Sequence, residues 1–442
     1  MFGKRCLWNC NYLSAVQAPT IFTIHLPIVR GICFQALLLG LLLAFCSGSL
    51  LGQRLDLKIL GKYKRIELPF VIENDFMVIS ILLDNVLPLR FIIDTGAENT
   101  ILLEKEITDM LGVTYRRTFQ IRGADVENSL TAYLATGIDL RIANRLLARN
   151  RSMLVLAENY FDFERITGTS IQGILGADFL MRFTVEFDFR RNLMILHEPA
   201  KYKPSSKHVL VPSIFIRNRA YLQVPIGVNT LESTVRRLLL DSGAGLTLLM
   251  HTYGDSASVD LPVQKVPAYI ASGLGGSLKG SVGRSRMIEL AGKEMKGVVT
   301  YFQQLDTVGL EFLNDREGII GNRILKRFNV AIDYTGQRVF LRPEGRKWKE
   351  KFQFDRSGLT LIAGGPNLRT YTVASLVPDS PAGRAGIKVG DRVVAVNNTS
   401  VGFLTLSGII RRLEGKPGKK IKIRYERDGD YTIVSIKLED LI

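Results

Sequence analysis

From about residue 60 onward, apolar and polar positions alternate with a period of two in short runs, the spacing that turns one face of a β-strand towards a core. The first runs are Ile66-Glu-Leu-Pro-Phe-Val-Ile72 and Met77-Val-Ile-Ser-Ile-Leu-Leu83, then a turn at Asp84-Asn85 and a return through Leu89 to Asp94. The plan recurs at Tyr221-Leu-Gln-Val-Pro-Ile226, which turns between Gly227 and Thr230 and returns to Asp241. Two apolar strands thus each deliver an aspartate into a glycine-containing turn, Phe91-Ile-Ile-Asp94-Thr95-Gly96-Ala97-Glu98-Asn99-Thr100 and Leu238-Leu-Leu-Asp241-Ser242-Gly243-Ala244-Gly245-Leu246-Thr247. About eighty residues later each copy has an apolar pair between glycines, Gly173-Ile-Leu-Gly176 and Gly318-Ile-Ile-Gly321, the mark of an internal repeat. The repeat continues as Arg182-Phe-Thr-Val-Glu-Phe-Asp188 and Arg327-Phe-Asn-Val-Ala-Ile-Asp333, so two homologous lobes stand in tandem.

The chemistry suited to such a duplication is acid–base catalysis by two carboxylates sharing one proton. Held about 3 Å apart, two like charges do not both ionise, so one aspartate serves as acid and the other as base around a single water. Asp94 and Asp241 are the candidates, with hydroxyls at Thr95 and Ser242 placed to tie the two turns together and Gly96 and Gly243 allowing close backbone approach.

These residues resemble the retropepsin-like aspartic proteases, whose protomers carry D-T-G-A-[DE]-[DN]-T and then an apolar-apolar-Gly motif before a helix. The resemblance covers about 60 to 345 and implies Asp94 and Asp241 as the dyad, Thr95 and Ser242 as interlocking hydroxyls, and a single-chain pseudo-dimer. Substrate backbone is then expected at Ala97 and Glu98 in lobe one and at Ala244 and Gly245 in lobe two. The second lobe departs from the pattern, with Gly245 and Leu246 where lobe one has Glu98 and Asn99, and the arginine that often follows the glycine motif is Ala177 or Asn322. Each lobe should also supply a β-hairpin flap, at 119–131 and at 269–280, where Gly275 and Gly276 suit a mobile tip. A phosphate-cradling reading of the second glycine cluster lacks the Gly-Lys-Ser/Thr ending.

Beyond the lobes, Val377-Pro-Asp-Ser380-Pro381-Ala382-Gly-Arg-Ala-Gly386-Ile387-Lys-Val-Gly390-Asp391-Arg-Val looks like a PDZ domain covering about 353 to 442. By that resemblance Gly358, Leu359, Thr360 and Leu361 form the loop whose N–H groups catch a peptide C-terminus, and the peptide adds as a strand beside the helix near 404–413. The module contributes no catalytic aspartate, so hydrolysis of short peptides is expected to be independent of it.

A chain of 442 residues, 46% hydrophobic, holds two or three cores. The net charge of +16 is spread along the chain without a stacking array or nucleic-acid motif, so nucleic acid is not an expected partner. All four cysteines, Cys6, Cys10, Cys33 and Cys46, precede the lobes, and the four histidines form no ligand-spaced pair, so neither disulfides, metal nor another cofactor is expected in the body. Ile32 to Gly52 is mostly apolar and carries no charge, is preceded by Arg30, and reads as an export signal or single membrane anchor over 1–52.

The expected architecture is mostly β: two pepsin/retropepsin-like β-barrel lobes (60–200 and 208–345) forming a pseudo-dimer, then a C-terminal PDZ domain (353–442), a β-sandwich with helices. The expected activity is peptide-bond hydrolysis by a monomeric aspartic endopeptidase, exported to the periplasm or exterior or held by the N-terminal anchor, acting on peptides or proteins. The alternative is a non-catalytic exported peptide-binding scaffold that retains the fold.

Overall fold

The computed structural model describes residues 56–442 apart from 61–64, 123–128, 160, 162, 230–231, 254–260, 274–275 and 306–315. The expected export segment lies outside the described residues; among the described residues no helix is long and apolar enough to cross a membrane.

The two aspartate-bearing strands are built alike. In lobe one Phe76–Leu83 pairs antiparallel with Leu87–Ile93 across a turn in which Asp84 and Asn85 take positive φ, a conformation short polar side chains tolerate. In lobe two Arg219–Gly227 pairs with Thr234–Leu240 in the same way. Each aspartate strand then lies parallel to the strand of its own glycine motif, Ile93 opposite Leu175 and Leu240 opposite Ile320. That pairing holds the next peptide too, since the Asp94 N–H donates to Leu175 O at 3.0 Å and the Asp241 N–H to Ile320 O at 3.0 Å. The sheets of the lobes have nine and eight strands.

The third repeated segment joins the lobes. Thr184–Asp188 and Phe328–Asp333 become antiparallel neighbours, Val185 opposite Ile332, at the centre of a six-stranded sheet flanked by Leu193–His197 and Arg65–Pro69 on one side and by Arg338–Pro343 and Val209–Val211 on the other. Every residue of Phe328–Asp333 is buried, as expected of a strand covered on both faces. Leu68, Val185, Phe187, Val330 and Ile332 belong to one core that runs through both lobes, so the pair folds as a unit.

Lobe one begins earlier than its expected start at 60: Asp56–Ile59 pairs antiparallel with Leu146–Arg149. Alternation in a four-residue strand is too short to separate it from the apolar segment before it.

The third module is a sheet ordered Leu359–Gly364, Thr370–Leu376, Arg392–Val396, Lys420–Arg427, Asp430–Lys437, with Thr399–Ser400 beside Arg392–Val396. The helix Leu406–Leu413 is capped by Thr405, whose Oγ1 accepts the Gly408 N–H at 3.0 Å. The module has its own core, yet it does not swing free. Phe352 before it and Ile442 at its end are buried in the core of the lobes, and the Arg284 guanidinium of lobe two donates to the carbonyls of both. The module is thus attached to the lobes at both of its ends.

Candidate active site

Asp94 and Asp241 are brought together from the two lobes, with their carboxyl groups in hydrogen-bonding reach of each other. The hydroxyls behave as the motif suggests. The Thr95 N–H donates to Ser242 Oγ and the Ser242 N–H to Thr95 Oγ1, both at 3.0 Å, while Thr95 Oγ1 donates to Leu240 O at 2.7 Å and Ser242 Oγ to Ile93 O at 2.8 Å. Each hydroxyl is thus donor and acceptor to the opposite turn, and both residues are buried, so the register of the two lobes is fixed by bonds shielded from water. Gly96 packs on the Asp241 carboxyl and Gly243 on that of Asp94.

The surroundings of the two carboxyls differ. Asp94 Oδ1 accepts the N–H groups of Gly96 at 2.7 Å and Ala97 at 2.9 Å, whereas Asp241 Oδ1 accepts one, from Gly243 at 2.8 Å. Burial raises both above the usual carboxylate range, and in Asp241 the facing Asp94 charge adds to it, so Asp241 is raised well above that range. Arg219 pulls Asp94 the other way.

The dyad lies on a cavity of about 720 Å³. Phe76, Phe161 and Phe163 make an aromatic wall in lobe one, Phe161 stacked on Phe163 at 4.6 Å between ring centroids. Ala97, Glu98, Ala244 and Gly245 all line the cavity. Glu98 is also engaged by lobe two, with Arg219 at 2.8 Å and Arg217 at 3.5 Å, so its carboxylate forms a cross-lobe ion pair at the cavity wall. The asymmetry of the motifs has a packing cause: a Cβ on Gly245 would come within 2.7 Å of the Phe76 ring. Of the segments expected as flaps, Ile121 of the first and Ile270 of the second line the cavity, with Pro267 and Ala268 just before the second. In the second hairpin Gly273 faces Gly276; Gly275 lies outside the described residues, as does 123–128 of the first.

Three groups escaped the sequence reading. Asp178, directly after the first glycine motif, accepts Thr100 Oγ1 at 2.7 Å and Arg151 at 3.3 Å, and burial raises its pKa. Asn322 fills the corresponding region of lobe two, its side-chain N–H₂ donating to Ser242 O at 2.7 Å and Asp75 O at 2.8 Å. Arg323 then reaches Asp75 of lobe one at 2.7 Å and Glu414 of the third module at 2.9 Å, so one guanidinium joins all three parts. Only the position of Asp178 and Asn322–Arg323 next to the repeated glycines hinted at these roles.

In the loop expected to catch a peptide carboxylate, the N–H groups of Gly358 and Leu359 already have partners. Asp355 accepts Gly358 N–H at 2.5 Å, Ser357 N–H at 3.2 Å and Ser357 Oγ at 2.6 Å, and the Leu359 N–H donates to Ser357 Oγ at 3.2 Å. The carboxyl that occupies these donors is internal, from Asp355, three residues before Gly358.

Residues 79–179 match the aspartyl protease family model and residues 372–427 the PDZ domain model. The chain is also similar to a Lactococcus lactis protein named as a zinc metalloprotease, 30% identical over 18% of this chain, and to a Staphylococcus saprophyticus protein named as a CtpA-like serine protease, 25% identical over 34% of this chain. Those matches span 18% and 30% of the relatives' own lengths. Among solved structures, the photosystem II D1 C-terminal processing protease matches at 23% identity over 19% of this chain and 23% of its own, with a TM-score of 0.18 that carries no argument about fold. The names of these relatives refer to unlike chemistries, a zinc metalloprotease and a serine protease. An aspartyl protease model thus matches within lobe one and a PDZ domain model within the third module.

Proposed function

We propose that this protein is an aspartic endopeptidase in which Asp94 and Asp241 share one proton and activate a single water. Ionised Asp94 takes a proton from the water, whose oxygen attacks the scissile carbonyl carbon. Protonated Asp241 gives its proton to the carbonyl oxygen, forming a neutral gem-diol. A proton then passes to the amide nitrogen, the C–N bond breaks, and the dyad returns to its singly protonated state. The observation that carries this reading is the unequal pair itself: two carboxyls from separate lobes, one with two backbone donors and the other with one, on the floor of an apolar cavity. Both groups come from one chain, so the catalytic unit is a monomer.

The test is turnover of an unfolded protein by the purified 55–442 chain and by Asp94→Asn and Asp241→Asn. Each variant should lose nearly all activity while keeping the wild-type circular dichroism spectrum, and a statine-type mimic of the gem-diol should inhibit the parent. Cleavage by either variant at near-parent rate would end the assignment, and absence of turnover in the parent would favour a peptide-binding scaffold. Export, or anchoring through the apolar segment 32–52, belongs to the same proposal and is checked by fractionating cells that express the full chain.

A further inference from the structure

The cavity that holds the dyad does not end with the protease lobes. Its walls pass from Ala244 and Leu249 of lobe two to Thr360, Ile362 and Ile410 of the PDZ domain, so the catalytic cleft and the PDZ groove are one space. Thr360 and Ile362 alternate with Leu359 and Leu361, which are buried in the domain's own core. They are the side chains that this strand turns away from that core.

Leu359–Gly364 is the edge of the PDZ sheet. It pairs with Thr370–Leu376 on one side and with no strand among the described residues on the other. An unpaired edge is a template on which an extended chain adds by backbone hydrogen bonds. Lobe one covers the far end of this edge. Its helix Phe163–Thr167 packs on the strand, and a Cβ on Gly168 would stand 3.0 Å from Leu406 Cβ and 3.9 Å from Ala363 Cβ. A ligand therefore comes to the edge from the catalytic side. At the near end, the Gly358 N–H that would receive a terminal carboxylate already donates to Asp355, which also lines the cavity. A terminal carboxylate would compete with that internal carboxyl for the donor, whereas a continuing chain does not need it. The domain is held in this position by Arg323–Glu414, by the Asn74 N–H on Ser407 Oγ at 3.0 Å and by the buried Ile442, so the edge is fixed in place before substrate arrives.

We propose that the PDZ edge strand is a subsite of the protease cleft: it takes an extended, apolar, internal segment of the same polypeptide whose scissile bond lies at the dyad, and it needs no free C-terminus. Thr360, Ile362 and Ile410 are its specificity-determining residues. This rests on the aspartic-protease reading and adds the class of substrate, namely long unfolded chains with apolar segments near the cut.

The test uses the 55–442 chain and peptides built around a bond it cuts in unfolded casein. A short peptide spans only the dyad region; long versions extend it on one side or the other with apolar residues or with alternating Ser and Gln, each with a free or amidated C-terminus. Apolar extension on one side should raise kcat/KM at least tenfold, chiefly through KM, and free and amidated forms should be cut alike. Ile362→Glu and Ile410→Glu should bring the long-to-short ratio close to one, and Ile362→Val should preserve it. The inference is overturned if short and long peptides are cut equally by the parent, if Ser/Gln extension works as well as apolar extension, or if amidation removes the advantage, which would restore carboxylate capture. Failure of the underlying reading looks different: no cut in casein at all, or cutting that survives Asp94→Asn.

Discussion

Gly243 stands so close to Asp94 that a Cβ built on it would lie 2.3 Å from the Asp94 carboxyl carbon, and Gly96 stands over Asp241 in the same manner at 2.7 Å. Each lobe's glycine is thus the floor beneath the other lobe's aspartate. Gly243→Ala should lower kcat by about 10²-fold or more, since the carboxyl must move out of the shared-proton geometry, and should destabilise the chain by about 1–3 kcal/mol through overpacking. Gly245→Ala, which presses on the movable Phe76 ring, should lose much less kcat. Parallel kinetics and urea melts of the two variants check the contrast.

The raised pKa of Asp241 makes the pair pH-sensitive. In the folded chain its pKa is raised by burial and by the facing Asp94, so above the ordinary carboxylate range the folded state binds a proton that the unfolded chain has released. Stability contributed by that group is complete below the unfolded value and declines as pH rises through the folded one, at up to about 1.4 kcal/mol per pH unit. Asp241→Asn removes the effect. Its melting temperature should exceed the parent's at about pH 7.5 and approach it at about pH 3, while activity of the parent falls on both sides of an acidic optimum. Equal melting temperatures at both pH values would contradict a raised Asp241.

Arg323 is shared by Asp75 and Glu414, and those two charges hold it well above the ordinary arginine range despite its burial. Removing it leaves two largely buried carboxylates without their common partner. Arg323→Met should therefore cost about 3 kcal/mol, and the double change Arg323→Met with Glu414→Met should recover part of the loss. Hydrogen exchange should report the loosening at 404–415 and at 74–76. A single variant as stable as the parent would show that the three parts meet without it.

Acid, by contrast, weakens the fold at His251. His251 is 2% exposed, and burial together with the nearby Arg316 pushes its pKa down to about 3. The unfolded chain takes up the proton near pH 6.5, so the folded state loses stability as pH falls from there towards 3, by at most about 1.4 kcal/mol per unit. His251→Leu should flatten the decline in melting temperature between about pH 7 and pH 4. An unchanged slope would locate the acid sensitivity elsewhere.

Period-two alternation and the repeated Asp-Thr/Ser-Gly and apolar-apolar-Gly motifs were enough to determine the two-lobe plan and to single out Asp94, Asp241, Thr95 and Ser242, because these features arise from local strand geometry and from duplication, both written linearly in the chain. The same holds for the PDZ sheet, whose Gly386 and Gly390 both adopt positive φ in its turns. Contacts between segments far apart were not written there. Glu98 pairs with Arg219, Phe76 fills the space left by Gly245, Asp355 sits on Gly358, and Ile442 returns to the core of the lobes. Each depends on where two independently specified elements come to lie, and a one-dimensional pattern carries no distance between them. The fusion of the catalytic cavity with the PDZ groove is of that kind: it follows from the docking of Phe163–Thr167 on Leu359–Gly364 and from the reach of Arg323, and only the folded chain decides it.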